Sequence, residues 1–118
     1  KMSASSSIET LAKAYEQLQK ERTKMSTALS KLAQQENENE LVLSELKLLG
    51  DDSSVYKLVG PALIKQDLDE ARSNVEKRLQ FIGDEMKRTQ IHLLDIDKKS
   101  EEKREKIVQL QAAHQGKK

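Results

Sequence analysis

A chain of 118 residues with 35% charged residues, one phenylalanine, two tyrosines and no tryptophan carries too little apolar mass for an ordinary compact domain of that length. Its 21 basic and 20 acidic residues interleave to a net charge of +1, so no one-sided basic face is available to nucleic acid. Without cysteine there are neither disulfides nor thiolate metal sites, and no apolar run approaches the roughly 20 residues of a membrane span.

In chain order, the opening KMSASSS lacks the apolar core of a signal peptide, and residues 1–7 are expected to be a flexible tail. From Ile8 an alternation of three and four then runs through Leu11, Tyr15, Leu18, Arg22, Met25, Leu29, Leu32, Glu36, Asn39, Leu43 and Leu46. Nine of these twelve positions are apolar and the spacing never slips. That is the heptad signature of a helix docking a thin seam against another helix. It predicts a helix over 8–50, about 60 Å long at a rise of ~1.5 Å per residue. Disorder is the competing reading of so polar a chain, and the regular spacing argues against it. Gly50, followed by Asp51, Asp52, Ser53 and Ser54, is expected to end the helix by taking a left-handed C-cap.

Residues 51–66 change character. Within VYKLV, Val55, Lys57 and Val59 alternate with Tyr56 and Leu58; within ALIK, Ala62 and Ile64 alternate with Leu63 and Lys65. Gly60 and Pro61 between them predict a β-hairpin, with the turn type left open. A second stripe follows through Leu68, Arg72, Val75, Leu79, Ile82, Met86, Thr89, Leu93, Ile96, Ser100, Lys103, Ile107, Leu110 and His114. It predicts a helix over 67–114, begun among Asp67, Asp69 and Glu70, with a flexible tail at 115–118. Gly83 inside it reads as a tolerated surface glycine, with close approach of a neighbour as the alternative. The polar seam residues Arg22, Glu36, Asn39, Thr89, Ser100 and Lys103 read as register-setting rather than as a functional network.

Two helices of similar length around a short connector make a mainly α fold, a long antiparallel two-helix coiled coil joined by a single β-hairpin. Both chain ends would then meet at the end remote from the hairpin. A lone two-stranded hairpin is marginal in water, and this one has apolar groups on both faces and unpaired edges. Pairing with hairpins of other chains, closing an intersubunit β-barrel, removes both defects. The expected assembly residues are Val55, Tyr56, Leu58, Val59, Gly60, Pro61, Leu63 and Ile64.

The pattern VxKLxGPxLxKQ across the hairpin, with KLVGPALIKQDLDEAR at 57–72, VEKRL at 75–79 and EMKR at 85–88, resembles the β-class subunits of prefoldin. The resemblance implies a heterohexamer of two α-class and four β-class subunits, so that this chain would have three further β-class partners. It implies hairpins joined in a double β-barrel and coiled-coil arms that hold unfolded proteins, actin and tubulin among them. It further implies delivery to the cytosolic chaperonin without ATP, and a cytoplasmic location. α-class members carry two hairpins, and the single one here fits the β class.

If the arms point away from the barrel, the frayed coil ends would touch clients. Ile8, Leu11, Tyr15 and Leu18 on one helix and Ile107 and Leu110 on the other are the expected client-binding residues. Ala12, Ala14, Val108 and Ala112 would widen that surface. No catalytic, cofactor or metal-ligand pattern is present: His92 and His114 share no ligand spacing, and the four glycines form no phosphate loop. The expectation is a protein that is not an enzyme, with no cofactor, no nucleic acid and no membrane partner. A coiled-coil scaffold or tether of another complex is the alternative; it accounts for the heptads but leaves the hairpin unexplained.

Overall fold

The computed structural model describes residues 3–116. Its elements are helix α1 (Ala4–Leu48), strands β1 (Val55–Val59) and β2 (Ala62–Gln66), and helix α2 (Leu68–Gln115). The chain is mainly helical, as the heptads predict, and the connector is an antiparallel hairpin. It divides into two compact units, one built from residues up to Leu29 and from Arg88 onward, the other from Ser30–Lys87. Of the expected tails, residues 1–2 and 117–118 lie outside the described residues.

The helix starts have identifiable caps. α1 begins at Ala4 rather than Ile8, because the Ser6 N–H donates to Ser3 Oγ at 3.1 Å. A serine so placed satisfies one of the orphan amides of a first turn. At α2 the Glu70 N–H donates to Asp67 Oδ2 at 3.2 Å, and Asp69 and Glu70 place negative charge at the positive end of the helix dipole.

The end of α1 differs from the expectation. The helix stops at Leu48, and among the described residues only Gly60 has a positive φ, so Gly50 is not a left-handed cap. The last carbonyls are taken by a side chain instead. Arg72 donates from Nε (3.0 Å) and Nη2 (2.9 Å) to Leu46 O, and from Nη2 to Leu49 O (3.0 Å). A guanidinium meets two carbonyls a turn apart because its donors form a rigid fork. Arg72, which the heptad count places in the seam, thus joins the end of α1 to the second turn of α2.

Each unit has its own seam. In the hairpin-bearing unit Leu46, Leu68, Ala71 and Val75 form a buried cluster, with Leu43, Val55 and Leu79 packed against it, and Ile82 is buried as well. In the unit that holds the chain ends Ile96 is 1% exposed. The heptad positions behave as the spacing requires: among them only Arg22 and His114 are exposed. Gly83 has open space where a Cβ would stand, so it holds no close approach within this chain.

The polar seam residues tie the helices together in register. In the chain-end unit Arg22 Nε donates to Asp97 Oδ1 at 2.7 Å, Gln19 Nε2 to Ser100 Oγ at 3.2 Å, and His92 Nε2 lies 2.7 Å from Glu21 Oε1. Hydrogen bonding to Asp97, with its charge, raises the Arg22 pKa above its ordinary value. In the other unit Arg78 Nη1 donates to Asn39 Oδ1 at 3.1 Å. Gln19–Ser100 and Arg22–Asp97 in one unit, and Asn39–Arg78 and Leu46–Arg72 in the other, run in opposite directions along the two helices, which is the antiparallel arrangement. Exposed pairs within one helix, such as Lys13–Glu9 and Lys20–Glu16, add only a few tenths of a kcal/mol each.

Replacing Arg72 by Met keeps the aliphatic stem but leaves the carbonyls without their charged donor. The expected loss is about 2 kcal/mol by chemical denaturation, with Arg72→Lys recovering only part of it.

Candidate functional site

The hairpin register pairs Val55 with Gln66, Tyr56 with Lys65, Lys57 with Ile64, Leu58 with Leu63 and Val59 with Ala62. Opposite residues share a face. One face therefore carries Val55, Lys57, Val59, Ala62, Ile64 and Gln66, and the other Tyr56, Leu58, Leu63 and Lys65. Gly60 has φ 59° at the first turn position. Pro61 cannot follow it with a second positive φ, which excludes type I′ and leaves the type II′ turn. That turn matches the twist of the strands and keeps the loop at two residues.

Both faces are open. Leu58 is 68% and Leu63 69% exposed, opposite one another, and Tyr56, Val59 and Ile64 are exposed too. Val55 alone of the apolar strand residues packs against the buried cluster, at the foot of the hairpin. Covering Leu58 or Leu63 would stabilise an assembly by roughly 1.5–3 kcal/mol each.

The edges are open as well. A two-residue loop makes Val59 and Ala62 the closing hydrogen-bonded pair, and such pairs alternate along an antiparallel ladder. The backbone groups of Tyr56 and Leu58 on β1, and of Leu63 and Lys65 on β2, consequently point outward. Each edge offers donors and acceptors at the spacing a further strand needs.

A cavity of about 200 Å³ lies beside the foot of the hairpin, between Val55, Tyr56 and Lys57 on β1, Val42 and Leu46 on α1, and Val75 on α2. Among the described residues no group of acidic and imidazole side chains is arranged to hold a metal.

The residues expected to meet clients fall together in the chain-end unit, and the assembly residues in the other. Ile8, Leu11, Tyr15, Leu18, Ile107 and Leu110 are all half-buried, none fully exposed. Val108, outside the strict stripe and next to Ile107, is an exposed large apolar side chain. The heptad reading passed over Leu41, Val42, Leu48, Phe81, Ile91 and Leu94, which are exposed. Their signal in the sequence is an apolar residue off the three–four spacing.

Residues 9–114 match the family model described as prefoldin subunit. The chain belongs to the prefoldin subunit family. It is 46% identical over 98 residues to a probable prefoldin subunit 6 of Caenorhabditis briggsae, covering 83% of this chain and 77% of that protein. It is 46% identical over 101 residues to prefoldin subunit 6 of Homo sapiens, covering 86% of this chain and 78% of the human one. Among solved structures it resembles the prefoldin beta subunit from Thermococcus strain KS-1, with a TM-score of 0.79 and 21% identity over 90% of each chain. That likeness establishes the fold. The resemblance to β-class prefoldin subunits carried by VxKLxGPxLxKQ is borne out. Membership also makes other prefoldin subunits its partners. No helix among the described residues is long and apolar enough to cross a membrane.

A methyl group at Gly60 would meet nothing within 4 Å, so the cost of Gly60→Ala is conformational rather than steric crowding. The expected penalty is about 1–2 kcal/mol for the positive φ. Hydrogen exchange should show faster opening of the hairpin amides with helicity unchanged.

Proposed function

We propose that this chain is a subunit of a heterohexameric, ATP-independent chaperone in the cytoplasm, with two α-class and four β-class members. The observation that carries this reading is the hairpin: in a prefoldin-family chain it has apolar side chains on both faces and backbone groups open along both edges. Strands of neighbouring subunits pair with those edges, and closure into a β-barrel leaves no edge open. Val55, Tyr56, Leu58, Val59, Leu63 and Ile64 supply the contact, and Gly60 and Pro61 hold the turn.

The chain-end unit is the client-holding part. Its seam is thin, its polar ties Arg22–Asp97 and Gln19–Ser100 replace apolar layers, and among the described residues α1 and α2 are the only helices that could cover its ends. Fraying there exposes Ile8, Leu11, Tyr15 and Leu18 together with Ile107 and Leu110 to an unfolded chain. Each contact is weak, and several arms acting at once raise the effective concentration enough to hold the client. Actin and tubulin are the clients, and the cytosolic chaperonin receives them. The work is non-enzymatic: capture and release need no bond made or broken.

Co-expression with the other prefoldin subunits tests the assembly. Leu58→Glu with Ile64→Lys should abolish entry into the hexamer, seen by native mass measurement, and leave helicity intact; a normal hexamer would refute the barrel role. Removing residues 1–18 and 107–118 should leave the hexamer formed while suppression of actin aggregation falls several-fold. Undiminished suppression would place client contact elsewhere.

A further inference from the structure

We infer that the outer edge of β1 takes a strand of a different subunit with a carboxylate opposite Lys57, and refuses a second copy of this chain; this rests on the assembly reading above. From Ser53 to Gln66 the chain has no acidic residue, and its charged side chains there are Lys57 and Lys65. Lys57 is exposed, and its side chain has no ion pair or hydrogen bond among the described residues. Along the helices lysines are answered by nearby acids, as in Lys13–Glu9, Lys20–Glu16 and Lys99–Asp95. The cavity at the foot of the hairpin shares the imbalance. Lys57 and Arg78 bring two cations to it, Asn74 and Gln66 add amides, and Leu46 and Val75 are among its apolar lining. No carboxylate of the described residues lines it, and Arg78 donates to the neutral Asn39 Oδ1. Such a recess suits an acidic side chain, whose stem meets apolar groups and whose carboxylate meets cations.

The ladder decides how that side chain arrives. Tyr56 and Leu58 turn their backbone groups outward, so on an added antiparallel strand they form the hydrogen-bonded pairs. Lys57 between them forms the non-hydrogen-bonded pair, where opposing side chains stand closest on one face. The residue opposite Lys57 therefore lies on the face of Val55 and Gln66, which also line the cavity. A second copy puts the wrong charge in that place. Two β1 strands paired antiparallel over all five residues set Val55 against Val59, Tyr56 against Leu58, and Lys57 against Lys57. Opposite charges across a ladder stabilise it and like charges destabilise it, so one lysine both attracts an acidic strand and repels its own. Lysines on open edges also guard against aggregation in general. A glutamate would guard as well, so only a carboxylate partner makes the sign of the charge matter.

The test sets wild-type chain and Lys57→Glu in competition for the other prefoldin subunits during co-expression. Native mass measurement should find Lys57→Glu in the hexamer about fivefold less often than wild type, and Lys57→Arg as often as wild type. Helicity should be that of wild type, because Lys57 is exposed. Without other subunits, a mixture of wild-type chain and Lys57→Glu should form mixed dimers at lower concentration than either chain pairs with itself. Carbodiimide cross-linking of the wild-type hexamer, which joins a lysine to a carboxylate in contact with it, needs no variant. It should link Lys57 to an aspartate or glutamate of another subunit, with Lys99–Asp95, 2.9 Å apart, as the internal control. Equal uptake of Lys57→Glu, or a linked control with Lys57 unlinked, overturns the inference. Wild-type chain that pairs with itself as readily as the mixture overturns it too. Normal assembly of the Leu58→Glu, Ile64→Lys chain would instead remove the reading on which this one stands.

Discussion

A sheet of two strands satisfies one side of each strand and leaves the other to water. In this chain that is joined to a second shortage, because the side chains on both faces are apolar over Tyr56, Leu58, Val59, Leu63 and Ile64. No arrangement of the hairpin against its own helices resolves both. One face can be laid on a coil, as Val55 begins to do, but the opposite face and the outer edges then stay open. The rest of the molecule holds this unfinished sheet in a defined position.

That positioning is local and polar. The type II′ turn at Gly60 and Pro61 fixes the register, and so decides which backbone groups face outward. At the foot, the Arg72 fork gathers the final carbonyls of α1 while Asp67 caps α2, so both helices are tied down where the chain enters and leaves the strands. The buried cluster around Leu46, Leu68, Ala71 and Val75 lies in the same unit. A small core, a charged clasp and a short turn present five-residue strands without covering them.

The chain-end unit shows a different economy of contacts. Ile96 and a run of half-buried heptad residues make the seam, and Gln19, Ser100, Arg22, Asp97, Glu21 and His92 fix the alignment through hydrogen bonds and ion pairs. Polar ties of this sort define register at some cost in stability. A coil held in this way keeps its alignment with few fully buried side chains.

Much of this was legible from spacing alone. Among the described residues, the heptad positions from Ile8 to Leu46 and from Leu68 to Leu110 include every buried residue except Ala71, because helical period and burial are linked by geometry. The hairpin was equally legible from alternation around Gly60 and Pro61. Other features depended on what lies far off in sequence. The end of α1 looked like a glycine cap but is held by Arg72, a residue beyond the hairpin that no local pattern connects to Leu46. The turn type required the φ of Gly60, and the exposure of Leu41 and Leu48 required knowing which face of α1 meets α2. Periodicity says that a face is buried; only the folded chain decides which neighbour buries it and which apolar residues are left over.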